Sequence, residues 1–286
     1  MGCAICGDCL KEMRRLPEQS VDLIFGSPPY EDCRTYGIGF NLTGQAWCDW
    51  MVQVYRESLR VCRGLVAFVV EGKTRHFSWS GTPALLMADL IRAGVTLRKP
   101  PIYERGGIPG SGGPDWWKNR YEFVVCATNG GKLPWSDNVA CGHKCKFDAG
   151  GPPTHRRADG RRVGDNTRDS RAFVIPDKAN PGNIIDCGCG GGGNIGSDLA
   201  HENEAPFSEK LVEPFILSFC PPGGTVLDPF GGSGTTAAVA EKHGRNWISI
   251  DIWSSQIDLT HRRIREARGV PPIPIVLPSE ENKHES

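Results

Sequence analysis

The chain has 286 residues, enough to bury a substantial core as one large domain or as a domain with an insert. Its 33 basic and 33 acidic side chains cancel, which excludes a global polyanion-binding signature and leaves local clustering as the only route to a nucleic-acid surface. No apolar run approaches the roughly 18 residues of a membrane span, and the segment Met1–Arg15 lacks the apolar stretch of an export signal.

In chain order, the pattern predicts a strand at Ala4–Cys6, a helix at Leu10–Leu16 and a strand at Val21–Phe25 that runs into Ser27-Pro28-Pro29-Tyr30. Prolines cannot donate to a sheet ladder, so this strand must end near Gly26. The paired prolines then hold a hydroxyl, free carbonyls and a flat ring in fixed relative positions. Taken alone, the tetrapeptide fits an ordinary strand-to-loop turn equally well. A helix around Trp47–Cys62 follows, then the valine-rich run Gly64–Val70, a helix over Pro83–Ala93 and a strand at Tyr121–Thr128. Strands alternating with helices predict an α/β fold, a mostly parallel sheet covered on both faces.

From Asn129 to Ala205 periodicity disappears and Gly, Pro, Asn and Asp dominate. Within this segment Gly142–Arg171 carries two lysines and six arginines against four aspartates, a local charge of +4. Arg156, Arg157, Arg161 and Arg162 form its densest part. They read either as a solvated loop or as an insertion contacting phosphates and base edges, which arginine forks suit. Regular structure resumes at Ala205–Cys220, where Pro214 is expected to kink a helix or mark its start. Thr225–Asp228 then reads as a buried strand, Gly231–Gly234 as a tight turn, Thr235–Gly244 as a helix, and Trp247–Ile252 as a strand with Asp251 near its end. Asp228 and Asp251 lie 23 residues apart. That is the strand, glycine loop, helix, strand and acid layout in which the acid binds a ribose hydroxyl.

The loop is neither G-x-G-x-x-G nor a Walker loop, and Gly72-Lys73-Thr74 has Ala67 where a Walker pattern needs glycine. Asp228-Pro229-Phe230 before the glycines suits S-adenosyl-L-methionine better than a dinucleotide, because no pyrophosphate needs a seat and Phe230 can pack on the cofactor. Together GDCL, DLIFGSPPY, YEFVVCAT, HENEAPF, LDPFGGSGTT and ISID, spanning Gly7 to Asp251, resemble the amino-methyltransferases of DNA. The corner precedes the glycine loop here, which resembles the permuted β-group of that family. The resemblance implies a class I S-adenosylmethionine-dependent methyltransferase fold, Rossmann-like with permuted motif order. Catalytic halves at 1–128 and 206–270 would flank a target-recognition insert at 129–205, with a disordered tail at 271–286.

What the resemblance implies for residues follows the motifs. Ser27, Pro28, Pro29 and Tyr30 are the catalytic corner. An exocyclic base amine has its lone pair delocalised into the ring; Ser27 and the Pro28 carbonyl would accept its hydrogens while Tyr30 stacks on the base. Asp8 and Cys9 would contact the cofactor's adenine and Phe207 its methionine end. Asp228, Pro229, Phe230, Gly232, Gly234 and Thr235 would form the cofactor loop, and Asp251 would hold the ribose. The implied partner is double-stranded DNA, in a bacterial cytoplasm or phage-infected host, with no membrane and with a homodimer compatible. Serine at the corner leans toward cytosine N4, as in restriction–modification enzymes, and adenine N6 is the alternative. Rivals are an RNA or protein methyltransferase and a non-catalytic, zinc-dependent DNA-binding protein.

The chain has twelve cysteines and no export signal, so its thiols are expected to be reduced. Cys3, Cys6 and Cys9, in or beside a predicted buried strand, read as core packing rather than metal ligands. The opening Met1-Gly2-Cys3 is lipidation-like, but Cys6 stands where Ser or Thr is wanted for myristoylation. Cys141, Cys145, Cys187 and Cys189 offer a zinc reading, weakened by a C-x-C spacing tighter than usual. Gly106–Pro114, before Trp116-Trp117, reads as a loop that closes over DNA or cofactor, or as a surface loop whose tryptophans pack on the sheet.

Overall fold

The computed structural model describes residues 1–31, 40–106, 114–144, 154–164, 177–188, 195–203 and 205–270. The expected tail, 271–286, lies outside them. Nine strands form the main sheet: β1 Gly2–Cys6, β2 Val21–Gly26, β3 Cys62–Val70, β4 Thr96–Arg98, β5 Ile102–Glu104, β6 Tyr121–Thr128, β7 Ile184–Asp186, β8 Thr225–Asp228 and β9 Asn246–Asp251. Their spatial order is β1-β9-β8-β2-β3-β6-β5-β7, with β4 also paired to β6. β6 runs antiparallel to β3, β4 and β5, and every other pairing is parallel. Hence β1, β2, β3, β8 and β9 end, and β6 begins, along one rim.

The helices are α1 Cys9–Arg15, α2 Gly44–Val61, α3 Thr82–Arg92, α4 Glu209–Phe219, α5 Thr235–Lys242 and α6 Ser254–Ala267. In α2 the buried side chains Trp47, Met51, Val54, Tyr55, Ser58 and Val61 recur every three or four residues, the helical period, and pack on one face of the sheet with α1 and α3. α4, α5 and α6 cover the opposite face. β2, buried at every position, lies between two cores. α5 carries the chain from β8 to β9 on one side, while α2 carries it from β2 to β3 on the other. The gap between β8 and β2 is therefore the switch point at which open α/β sheets bind ligands.

Three features depart from the sequence reading. Cys3 and Cys6 are exposed and only Cys9 is buried, because β1 is the sheet's edge strand. α4 begins at Glu209, capped by Ser208 Oγ accepting from Lys210 N, and continues through Pro214, so proline does not mark its start. The short strands β4, β5 and β7 were hidden by their length; β4 and β5 act as one strand broken at Pro100-Pro101, and Pro101 O rejoins the ladder by accepting from Val124 N. No helix among the described residues is long and apolar enough to cross a membrane.

The central strands are locked at the amino ends by Asp22. Its buried carboxylate accepts from Arg63 Nε at 2.6 Å on β3 and from Thr225 N at 2.8 Å on β8. Gly64 permits this register, since a Cβ there would lie 1.9 Å from Asp22 O. Gly64→Ala must push two buried strands apart, a cost of roughly 1–3 kcal/mol or more. The expected outcome is a melting midpoint lower by several degrees, and calorimetry showing no shift would contradict this packing.

Candidate active site

At the rim, β2 ends on Gly26, where a Cβ would meet Asp228 Oδ1 at 2.4 Å, so only glycine lets β2 and β8 converge here. The next residues are fixed from several sides. Trp47 Nε1 donates to Pro29 O at 2.8 Å, and Pro28 and Pro29 both line the cleft. Tyr30 OH donates to Glu122 Oε2 at 2.7 Å, and Ser27 Oγ lies 3.4 Å from that hydroxyl. Glu122 is buried at the start of β6, and its other oxygen is paired with Arg105. Burial first, and then the Glu122 charge, push the Tyr30 phenol well above its usual value, so the ring is held protonated by its hydroxyl end.

Facing this corner are the ends of β1, β8 and β9. Gly7 N donates to Asp251 O at 2.8 Å, which brings Asp8 and Cys9 beside the end of β9. Asp8 Oδ1 caps α1 by accepting from Lys11 N. Asp251 Oδ2 accepts from Gly232 N at 2.8 Å and its Oδ1 from Trp253 N at 2.9 Å. This acid therefore shapes the glycine loop, and each oxygen keeps acceptor capacity for a hydroxyl. Gly232 sits at φ +46° and Gly234 at φ +74°, conformations that side chains resist. Phe230 packs edge-on against Phe68, and Phe207 against Phe25.

These groups enclose a cleft of about 280 Å³. Its wall brings together Asp8, Cys9, Ser27, Pro28, Pro29, Tyr30, Phe207, Pro229, Phe230, Gly232 and Asp251. Asp228, Gly234 and Thr235 lie behind the wall. Thr235 Oγ1 accepts from the buried Arg263, which is also paired with Glu209 at 2.6 Å. Asp228 is buried, with Oδ1 accepting from Phe230 N and Oδ2 without a hydrogen-bond partner. Burial drives its carboxyl up to about 7 despite that bond.

Sequence reading missed Glu122, Arg105 and Arg263. Glu122 carried a signal, an acid inside the otherwise apolar YEFVVCAT; the arginines carried none. The arginine cluster forms an antiparallel hairpin, Thr154–Arg156 with Arg162–Gly164, and Arg157 and Arg161 are exposed at its turn. Cys141 is half-buried and Cys187 buried; Cys145 and Cys189 lie outside the described residues, among which no cluster suits a metal ion. Trp116 and Trp117 are exposed rather than packed on the sheet, and they lean on each other at 5.5 Å. Residues 107–113 of the adjoining loop lie outside the described ones.

The residues present fit S-adenosylmethionine. Asp8 and Asp251 offer acceptors to its hydroxyl and amino groups, Phe207 and Phe230 give apolar walls, and Gly232 keeps the loop clear of side chain. Fold and site together define a class I S-adenosylmethionine-dependent methyltransferase. A family model described as DNA methylase, N6_N4_Mtase, matches residues 21–262, and the chain belongs to that family. Similar proteins include the orphan methyltransferase M.BamHII of Bacillus amyloliquefaciens, 29% identical over 86% of this chain and 89% of the relative. The DNA adenine methyltransferase YhdJ of Escherichia coli K12 is 27% identical over 91% of this chain and 81% of its own length. Among solved structures, the cytosine-N4-specific PvuII DNA methyltransferase superposes with a TM-score of 0.67 at 20% identity, covering 92% of this chain and 86% of its own. DNA is the substrate of this family, and S-adenosylmethionine its methyl donor.

The Asp228 carboxyl makes stability pH-dependent. Its folded value of about 7 exceeds the unfolded 3.8, so the native state holds this proton while the unfolded chain releases it. Stability therefore falls as pH rises from about 4 to 7, by on the order of 4 kcal/mol for this group, and the cost is complete above 7. Asp228→Asn should gain on the wild type as pH rises from 4.5 to 8 in cofactor-free melting curves. A difference independent of pH would contradict the assignment.

Proposed function

We propose that the cleft methylates the N4 amine of a cytosine flipped out of double-stranded DNA. The observation that carries this reading is the neutral corner: the Ser27 hydroxyl and Pro28 line the cleft beside a Tyr30 ring fixed by Glu122. The bound cofactor supplies an electrophilic methyl on its sulfonium. Ser27 Oγ and Pro28 O would accept the two amine hydrogens and so localise the nitrogen lone pair toward that methyl; the nitrogen–carbon bond would form as the carbon–sulfur bond breaks, with S-adenosylhomocysteine leaving and one amine proton passing to solvent. Tyr30 holds the base in plane, and its hydroxyl, already donating to Glu122, does not compete for the amine. No side chain forms a covalent intermediate. Positioning supplies most of the rate, and aligned reactants remove roughly 7–11 kcal/mol from a barrier. Extruding the base costs a few kcal/mol.

Residues 129–205 are proposed as the target-recognition insert, supported by the Arg157–Arg161 turn, whose forks suit phosphates and guanine edges. Adenine N6 is the second reading, favoured by similarity to an adenine-specific relative.

Unmethylated genomic DNA, incubated with the enzyme and methyl-labelled S-adenosylmethionine, is expected to yield N4-methylcytosine on nucleoside mass spectrometry. N6-methyladenine instead would remove Ser27 as the determinant of the base. Ser27→Ala should lower turnover by roughly 10²-fold or more, the scale of losing one oriented group, with cofactor affinity retained. Asp251→Ala should instead weaken cofactor binding in calorimetry, because it frees Gly232 N as well as removing a ribose acceptor; unchanged affinity would refute that role.

A further inference from the structure

Between β3 and α3 the chain forms a small hairpin, Thr74–Arg75 paired antiparallel with Ser78–Trp79. Its two-residue turn is His76-Phe77, with φ of +47° and +63°. Turns with two positive φ values ordinarily take Asn-Gly, and a histidine followed by an aromatic there is strained. The strain presents Phe77 at the tip, 80% exposed. No ring among the described residues packs on it.

The base of the hairpin is tied to the catalytic corner. Glu31, the residue after Tyr30, accepts from Lys73 N at 3.3 Å and from Thr82 Oγ1 at 3.0 Å, while Ser80 Oγ accepts from Lys73 N at 3.0 Å. Trp79 Nε1 donates to Glu71 Oε1, and its indole leaves no room for a Cβ at Gly72. The tip is therefore placed relative to Tyr30 by backbone and buried side chains. It follows the rim end of β3, whose Val69 lines the cleft.

We propose that Phe77 is the wedge that enters the base stack as the target nucleotide leaves it. Removing one base from a duplex leaves its neighbours unstacked, and a flat apolar side chain restores part of that contact. Arg75, exposed in the same hairpin, suits the adjoining phosphate. Trp116 and Trp117 are also exposed, but they lean on each other rather than standing singly at a turn. This role serves either target base and extends the DNA-methylating activity.

The test uses the full chain and two duplexes carrying the site mapped by sequencing methylated DNA. In one the target base is normally paired; in the other it faces an abasic position and is already loosely held. Phe77→Ala is expected to lower kcat/KM roughly 10–100-fold on the paired duplex, the scale of unassisted unstacking. On the abasic duplex it should stay within about threefold of wild type, and Phe77→Trp should keep most activity on both. Phe77→Gly should match the alanine variant in activity without a lower melting midpoint, because glycine accepts the turn. Full activity of Phe77→Ala on the paired duplex, or an equal loss on both duplexes, overturns the proposal. Methylation by the wild type on either duplex shows separately that the enzyme reading holds.

Discussion

The catalytic corner depends on one buried carboxylate. Glu31 accepts from Gly44 N at the first turn of α2, from Thr82 Oγ1 at the first turn of α3 and from Lys73 N in the hairpin between β3 and α3. Neither helix has a side-chain cap of its own: Thr43 makes no capping bond and Gly81 has no side chain to offer. Glu31 supplies an acceptor for the first backbone N–H of α2, and its negative charge lies at the amino ends of both helices. Burial pushes its carboxyl upward, but the bonds from Ser80, Gly44, Thr82 and Lys73 outweigh that and hold it below the usual range. Proline geometry alone would leave Ser27 and Tyr30 on a stiff but unanchored loop. The carboxylate converts that loop into part of the helical layer.

A second polar arrangement complements the first. Glu122 reaches the cleft from β6, the antiparallel strand, and is neutralised by Arg105 at the end of β5. The reversal of β6 matters here, since it delivers a residue from the start of a strand to the rim where β1, β2, β3, β8 and β9 end. A buried acid without Arg105 would carry an uncompensated charge. With it, the acid can hold the Tyr30 hydroxyl while the corner stays electrically neutral toward an incoming base.

Much of the architecture was legible because its elements are long and strongly patterned. The strand at Tyr121–Thr128 has the predicted bounds, α2 and α3 fall within three residues of theirs, and the glycine loop lies where its spacing placed it. Motifs were legible because unusual residues, two prolines or clustered glycines, have few structural uses. What stayed hidden depends on long-range contact. The hairpin at Thr74–Trp79 and strands β4, β5 and β7 have two or three residues each, too few for a period to appear. Arg263 lies on a polar-looking helix and gives no sign that it runs under the glycine loop to Thr235. Asp251 shows how a motif can be read with one role and carry two, since its carboxylate organises the loop that the cofactor would use.

The pairing of β1 with β9 has a consequence for how the protein is made. Gly2 stands opposite Trp247 and Cys6 opposite Asp251, so β1 is made well before the strand that is its sheet neighbour among the described residues. β2 likewise waits for β8 across its Asp228 side. The central β2-β3-β6 segment can pair early, but the cofactor face, built from the turns after β1, β8 and β9, closes only once β9 is available. Loop closure over such separations is slow. A nascent chain is therefore without a methyl-donor site until β9 has emerged, however early its other strands pair.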